Sequence, residues 1–243
     1  MTELRKFMIK KPMSRSAILI HRLIHDLQVA AAARGYFLET YSNEVDQDGF
    51  DIILDDKDHL MKIQVKTVSS VSKTAKWKIH KTILRPRPHL TENLGFEPSP
   101  EGTGVQGGVI LMRFDYSQTS ISVEYLCTNV FIITAFHLGI ISWPRRSMNE
   151  AVGKLYNNLQ NGTSHQKVDV RKSAFLKAKS PEHLLALIGL HGNHSICWIN
   201  ELIDYTAHQF KVPSAKKLDN GTVKHLKQDI GQTLKGLTND NIK

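Results

Sequence analysis

Between Leu60 and Val68 the side chains alternate in polarity, with Met61, Ile63 and Val65 on one side and Lys62, Gln64 and Lys66 on the other. A period of two is the pattern of a strand with one apolar and one polar face, and it sets Gln64 and Lys66 side by side. The run before it, Phe50 to Leu54, reads as a second strand with Asp51 at its head, and Asp55 to His59 make the turn between the two. A hairpin of this kind brings Asp51 and Gln64 opposite one another at its outer ends. Upstream, Tyr36 to Ser42 reads as a strand. Before it, Ile20, Leu23, Ile24, Leu27, Ala30 and Ala31 recur at helical spacing, which predicts a helix capped by Ser14 or Ser16, running to about Arg34 and stopped by Gly35.

Downstream, Trp77 to Leu84 reads as extended. Pro86 and Pro88 open a long glycine-rich loop, and strands follow at Val109 to Phe114 and Ile121 to Cys127, joined by a polar turn at Asp115 to Thr119. The order of helix, three strands, extended segment, loop and two strands predicts an α/β core over residues 1–144. Residues 145–243 read as a basic, mainly helical region serving DNA binding or dimerisation. Within it, Ser180-Pro181 starts one helix and another lies between Pro213 and Leu237. The apolar stretch from Val130 to Trp143 is too short to span a bilayer, which takes about 20 residues, and is expected in the core. With no apolar leader after Arg5, Lys6, Lys10 and Lys11, a cytoplasmic protein is expected.

The chain carries a formal charge of +9, and its distribution is uneven. From His59 to Thr91 there is no acid, while Lys62, Lys66, Lys73, Lys76, Lys78, Lys81, Arg85 and Arg87 all fall inside. Residues 145–243 add 15 Lys and Arg against 8 Asp and Glu. Clustered cations gain affinity for polyphosphate by releasing condensed counterions, so the expected partner is a nucleic acid. Ser69, Ser70, Lys73, Lys76, Lys78, Lys81, Arg85 and Arg87 are the expected backbone contacts; the bland alternative is a solvated face. Trp77 suits the core better than a base contact. The segment His191-Gly192-Asn193-His194 with Cys197 lacks a fourth zinc ligand nearby, His21 and His25 read as surface histidines, and Cys127 and Cys197 read as buried thiols. There is no glycine-rich phosphate loop.

Hydrolysis of a phosphodiester requires a divalent cation to neutralise the transition state and acidify the attacking water, with a cation or base beside that water. Asp51 offers a hard carboxylate ligand, Gln64 an amide oxygen, and Lys66 a charge on the same face as Gln64. Asp51, an apolar strand, a turn and then Gln64-Val65-Lys66 resemble the PD-(D/E)XK nuclease superfamily over roughly residues 14 to 127, including the polar segment Glu44-Val45-Asp46-Gln47-Asp48-Gly49-Phe50. Gln64 stands where Asp or Glu is usual, a variant similar to that of several restriction-like and anti-phage branches. It removes one negative charge, for which Glu44 is the first compensating candidate, Asp48 the second and Asp26 the third.

The resemblance implies a restriction-endonuclease-like core, a helix packed on a central mixed sheet. It further implies a Mg²⁺-dependent (or Mn²⁺-dependent) endonuclease cutting double-stranded DNA, with Asp51, Gln64 and Glu44 as metal ligands and Lys66 assisting the nucleophile. A homodimer and a role in restriction or antiviral defence are further implications. The competing readings are a catalytically inactive DNA-binding protein that keeps this fold, and a protein-interaction subunit with basic faces.

Overall fold

A computed structural model describes residues 3–42, 49–98, 102–116, 120–163, 165–190 and 197–243, with the side chains of Arg5 and Cys197 outside the description. Helix α1 (Glu3–Lys10) is followed by α2 (Pro12–Ala32). The second helix begins earlier than its serines suggest because Pro12 occupies its first turn, where the missing N–H is no loss. Leu19, Leu23, Leu27 and Ala31 form its buried stripe, and each buried leucine contributes about 2 kcal/mol of transfer free energy.

Three antiparallel strands follow: β1 (Glu39–Ser42), β2 (Ile52–Asp55) and β3 (Leu60–Ser69). The chain then makes β4 (Lys76–His80), the single turn α3 (Lys81–Leu84), β5 (Gly108–Tyr116) and β6 (Ile121–Asn129). The extended reading of 77–84 therefore fails at its second half, where Ile83 and Leu84 are buried in a helical turn. Strand β5 lies parallel to β3, from Ile63 beside Gly108 to Ser69 beside Phe114. A parallel pair needs a crossover, and residues 70–107 supply it. Gly107 lets the segment entering β5 approach β3: a Cβ there would sit 2.3 Å from the Lys62 carbonyl oxygen.

The remaining elements are α4 (Val130–His137), α5 (Arg146–Gln160), β7 (Lys167–Arg171), β8 (Leu176–Lys177), α6 (Pro181–Ile188), α7 (Cys197–Gln209) and α8 (Asn220–Leu237). Asn129 caps α4 by accepting the Ile132 N–H at 2.9 Å, and the apolar run behind it is buried as expected. Ser180 caps α6, with Pro181 at its start. The result is an α/β fold whose main sheet is mixed, six strands in the order β1-β2-β3-β5-β6-β8, with β4 and β7 forming a separate antiparallel ribbon. Residues after 145 thus supply β8 to the main sheet and β7 to the ribbon, and they pack into the same hydrophobic cluster as the N-terminal half. No helix among the described residues is long and apolar enough to cross a membrane.

The pairings fix which face is which. Ile63 stands beside Gly108, and Met112 opposite Tyr125, so Ile63, Val65, Met112 and Tyr125 share one face. The Tyr125 hydroxyl donates to Asp26 of α2 at 2.7 Å, which places α2 over that face. Gln64 and Lys66 project from the other.

Candidate active site

Asp51 lies immediately before β2, where the regular ladder ends. Its N–H donates to the Ile63 carbonyl at 2.9 Å, although Ile63 is already the partner of Ile52. Two residues thus stand against one, as in a β-bulge, a device that re-aims a side chain. The carboxylate turns along the strand pair, and Oδ2 accepts the Val65 N–H at 2.5 Å. Asp51 is therefore not directly opposite Gln64 on a continuing ladder, as expected from the hairpin, but tied to the residues on both sides of it. It also borders a concavity of about 530 Å³ beneath α2, shared with His21, Thr40, Ser42 and Phe50.

Gln64 is 6% exposed, and its Oε1 is buried without a hydrogen-bond partner among the described residues. An orphaned buried amide oxygen costs about 1 to 3 kcal/mol and is uncommon. Lys66, two residues on and half-buried, projects from the same face of β3. Lys62, next on that face, rests its ammonium over the Phe50 ring, 4.5 Å from the centroid. An unsatisfied amide oxygen and a carboxylate anchored to the next residue, Val65, are the kinds of hard oxygen ligand that suit a cation such as Mg²⁺, which binds one or two protein oxygens and keeps several waters. Asp51 and Gln64 are the residues that would hold it; the ion would supply charge neutralisation and a more acidic water. Among the described residues there is no group of three or more His, Cys, Asp or Glu placed to hold a metal.

Of the compensating acids, Glu44 and Asp48 lie outside the described residues, as does the segment from His191 to His194. Asp26 does not serve. It sits on the α2 face of the sheet, bound by Arg22 at 2.8 Å and by Tyr125. Burial works to raise its carboxyl pKa, but the hydrogen bonds from Arg22 and Tyr125 outweigh it and hold the group below the ordinary range. His80, which the sequence offers only as a member of the basic run that fits a nucleic-acid backbone, is brought close by the fold. Gly49, at φ +74°, packs so tightly on it that a Cβ would lie 2.5 Å from its Cδ2. The signal was available only as a histidine in a basic run; the contact spans 31 positions.

The expected phosphate contacts divide. Lys73 and Lys78 are exposed, and Lys76 is exposed and paired with Asp169 at 3.0 Å. Arg87 is half-buried and donates to the Leu60 carbonyl at 3.1 Å. Ser69 and Ser70 are half-buried with hydroxyls that find no partner among the described residues. Lys81 is turned inward, donating to the Asn161 carbonyl at 2.6 Å and to Gln166 Oε1 at 3.1 Å; burial, and then the charge of Arg85, lower its pKa. Arg85 is a correction. It is fully buried, donating to the carbonyls of Leu159 (2.7 Å), Asn161 (3.0 Å) and Gly162 (2.7 Å) at the end of α5, so its guanidinium is not at the surface. Cys127 is buried and free, and burial pushes its thiol pKa up. Neither a family model, nor a curated protein, nor a solved structure matches the chain.

Proposed function

We propose that this protein is a metal-dependent endonuclease that hydrolyses DNA phosphodiester bonds, with Asp51 and Gln64 as Mg²⁺ (or Mn²⁺) ligands and Lys66 positioning the attacking water. The observation that carries the reading is the orphaned Gln64 Oε1, on the residue that precedes the Val65 N–H to which the Asp51 carboxylate is fixed. Lys66 on the same face is the third member. The resemblance of Asp51 and Gln64-Val65-Lys66 to the PD-(D/E)XK superfamily, and a helix packed on a mixed sheet, support the same reading, including a restriction-endonuclease-like core. Glu44 is the proposed third metal ligand. Double-stranded DNA, a homodimer and a defence role belong to the same proposal by analogy.

In this reading the Lys66 ammonium orients water and offsets charge on a phosphate oxygen, and the buried setting of Gln64 strengthens such electrostatic effects. The test is relaxation of supercoiled plasmid in Mg²⁺ or Mn²⁺ by the wild type, Asp51→Ala and Lys66→Ala. Cutting by the wild type, lost in both variants and in chelator, is expected. Persistent cutting by both variants removes the site assignment. Binding without cutting by the wild type favours the second reading, a nuclease-fold DNA-binding protein in which Gln64 marks lost metal affinity.

A further inference from the structure

The β4–β7 ribbon has one buried and one outward face. Trp77, Ile79, Val168 and Val170 point inward, Trp77 meeting Phe175 edge to face at 5.6 Å. On the outward face lie Lys76, Lys78 and His80 of β4 with Lys167, Asp169 and Arg171 of β7. The polar side of α5 borders this face through Lys154 and Asn158, making two adjoining hollows of about 570 and 250 Å³ that share Asn158 and Asp169. The groove holds two acids, and each is already paired: Asp169 with Lys76 at 3.0 Å and Glu150 with Arg146 at 2.8 Å. Lys78, Lys154, Lys167 and Arg171 are exposed and make no ion pair within 4 Å among the described residues, although Lys78 and Arg171 add to Lys76 in holding the Asp169 pKa down. Asn158 and Asn161 add neutral groups that can donate to phosphate oxygens.

We infer that this groove binds the phosphodiester backbone of DNA and leads it toward the Asp51 site. The identity of the ligand as DNA rests on the function proposed above; the groove itself rests on the unpaired cations. Its direction follows from His80, which closes the same row as Lys76 and Lys78 and packs against Gly49, two residues before Asp51. Most of the groove comes from α5 and β7, so residues after 145 contribute to DNA binding through Lys154, Lys167 and Arg171, none of which stands out in the sequence.

The experiment measures anisotropy of a labelled DNA duplex in chelator, so that binding is read without cleavage, between 50 and 200 mM salt. The triple variant Lys154→Gln, Lys167→Gln, Arg171→Gln is compared with a control of equal charge change, Lys216→Gln, Lys217→Gln, Lys224→Gln; all six side chains are exposed. Thermal melting checks that both remain folded. The groove triple is expected to weaken binding by about tenfold or more and to lower the salt slope by about 2 to 3, with a clearly smaller effect in the control. Wild-type affinity and slope in the groove triple, or an equal loss in the control, overturns the groove. The outcomes separate from those of the site: a protein that cuts DNA but binds it normally without these charges loses the groove alone. One that needs them to bind but never cuts loses the catalytic reading alone.

Discussion

The Asp51 carboxylate accepts the backbone N–H of Val65 at 2.5 Å, one residue past Gln64 and one before Lys66. This bond fixes a charged oxygen against the main chain between Gln64 and Lys66 without using any side chain of β3. Asp51→Asn keeps an oxygen that can accept the same N–H, whereas Asp51→Ala leaves it unsatisfied. Asp51→Ala is expected to be less stable than Asp51→Asn by about 1 to 2 kcal/mol in chemical denaturation. Equal stability would show that the bond does not form in solution.

Gln64 offers a sharper separation of fold from function. If its Oε1 is kept for a metal, Gln64→Leu removes a buried polar group of unfavourable energy and leaves the volume nearly filled. In chelator the variant should be as stable as the wild type or more so, by up to about 1 kcal/mol, while cleavage falls by about 100-fold or more. A destabilised Gln64→Leu that still cuts would mean that the amide serves the core.

Arg85 is predicted to be structural. Arg85→Met strands three carbonyls and is expected to cost about 3 kcal/mol or more, and Arg85→Lys restores only part, because an ammonium cannot reproduce the planar fork. At temperatures where the variants are folded, their DNA affinity per folded molecule should match the wild type. A clear loss of affinity would return Arg85 to the binding surface.

Asp26 sets a pH dependence. Its folded pKa lies below the ordinary carboxylate value near 4, with burial opposing the shift and the bonds from Arg22 and Tyr125 driving it. A depressed carboxylate contributes stability that is present above its unfolded pKa and lost as pH falls through the folded one. Asp26→Asn should therefore be less stable than the wild type at pH 7, with the gap closing below about pH 4. A gap that does not change across that range would exclude the ionised pair as its source.

Much of the main sheet was legible because its signals are local. The alternation of Leu60 to Val68 gave β3 and the shared face of Gln64 and Lys66, and the stripe of Leu23 and Leu27 gave α2. What escaped depends on distant pairing. Nothing near Lys167 says that it will stand across from His80, and nothing in the basic run distinguishes buried Arg85 from exposed Lys78. The bulge at Asp51 escaped for a related reason: a regular hairpin is the default geometry, and the departure is set by where Ile63 and Val65 offer their main-chain groups.

The most direct test of the proposed site is single-turnover cleavage of a DNA duplex across a Mn²⁺ titration, comparing the wild type with Asp51→Asn. The account predicts saturable, metal-dependent cutting by the wild type and a rate about 100-fold lower or less in Asp51→Asn, a loss of at least about 2.7 kcal/mol of transition-state stabilisation. Cutting by Asp51→Asn at the wild-type rate, with the same Mn²⁺ dependence, would contradict it.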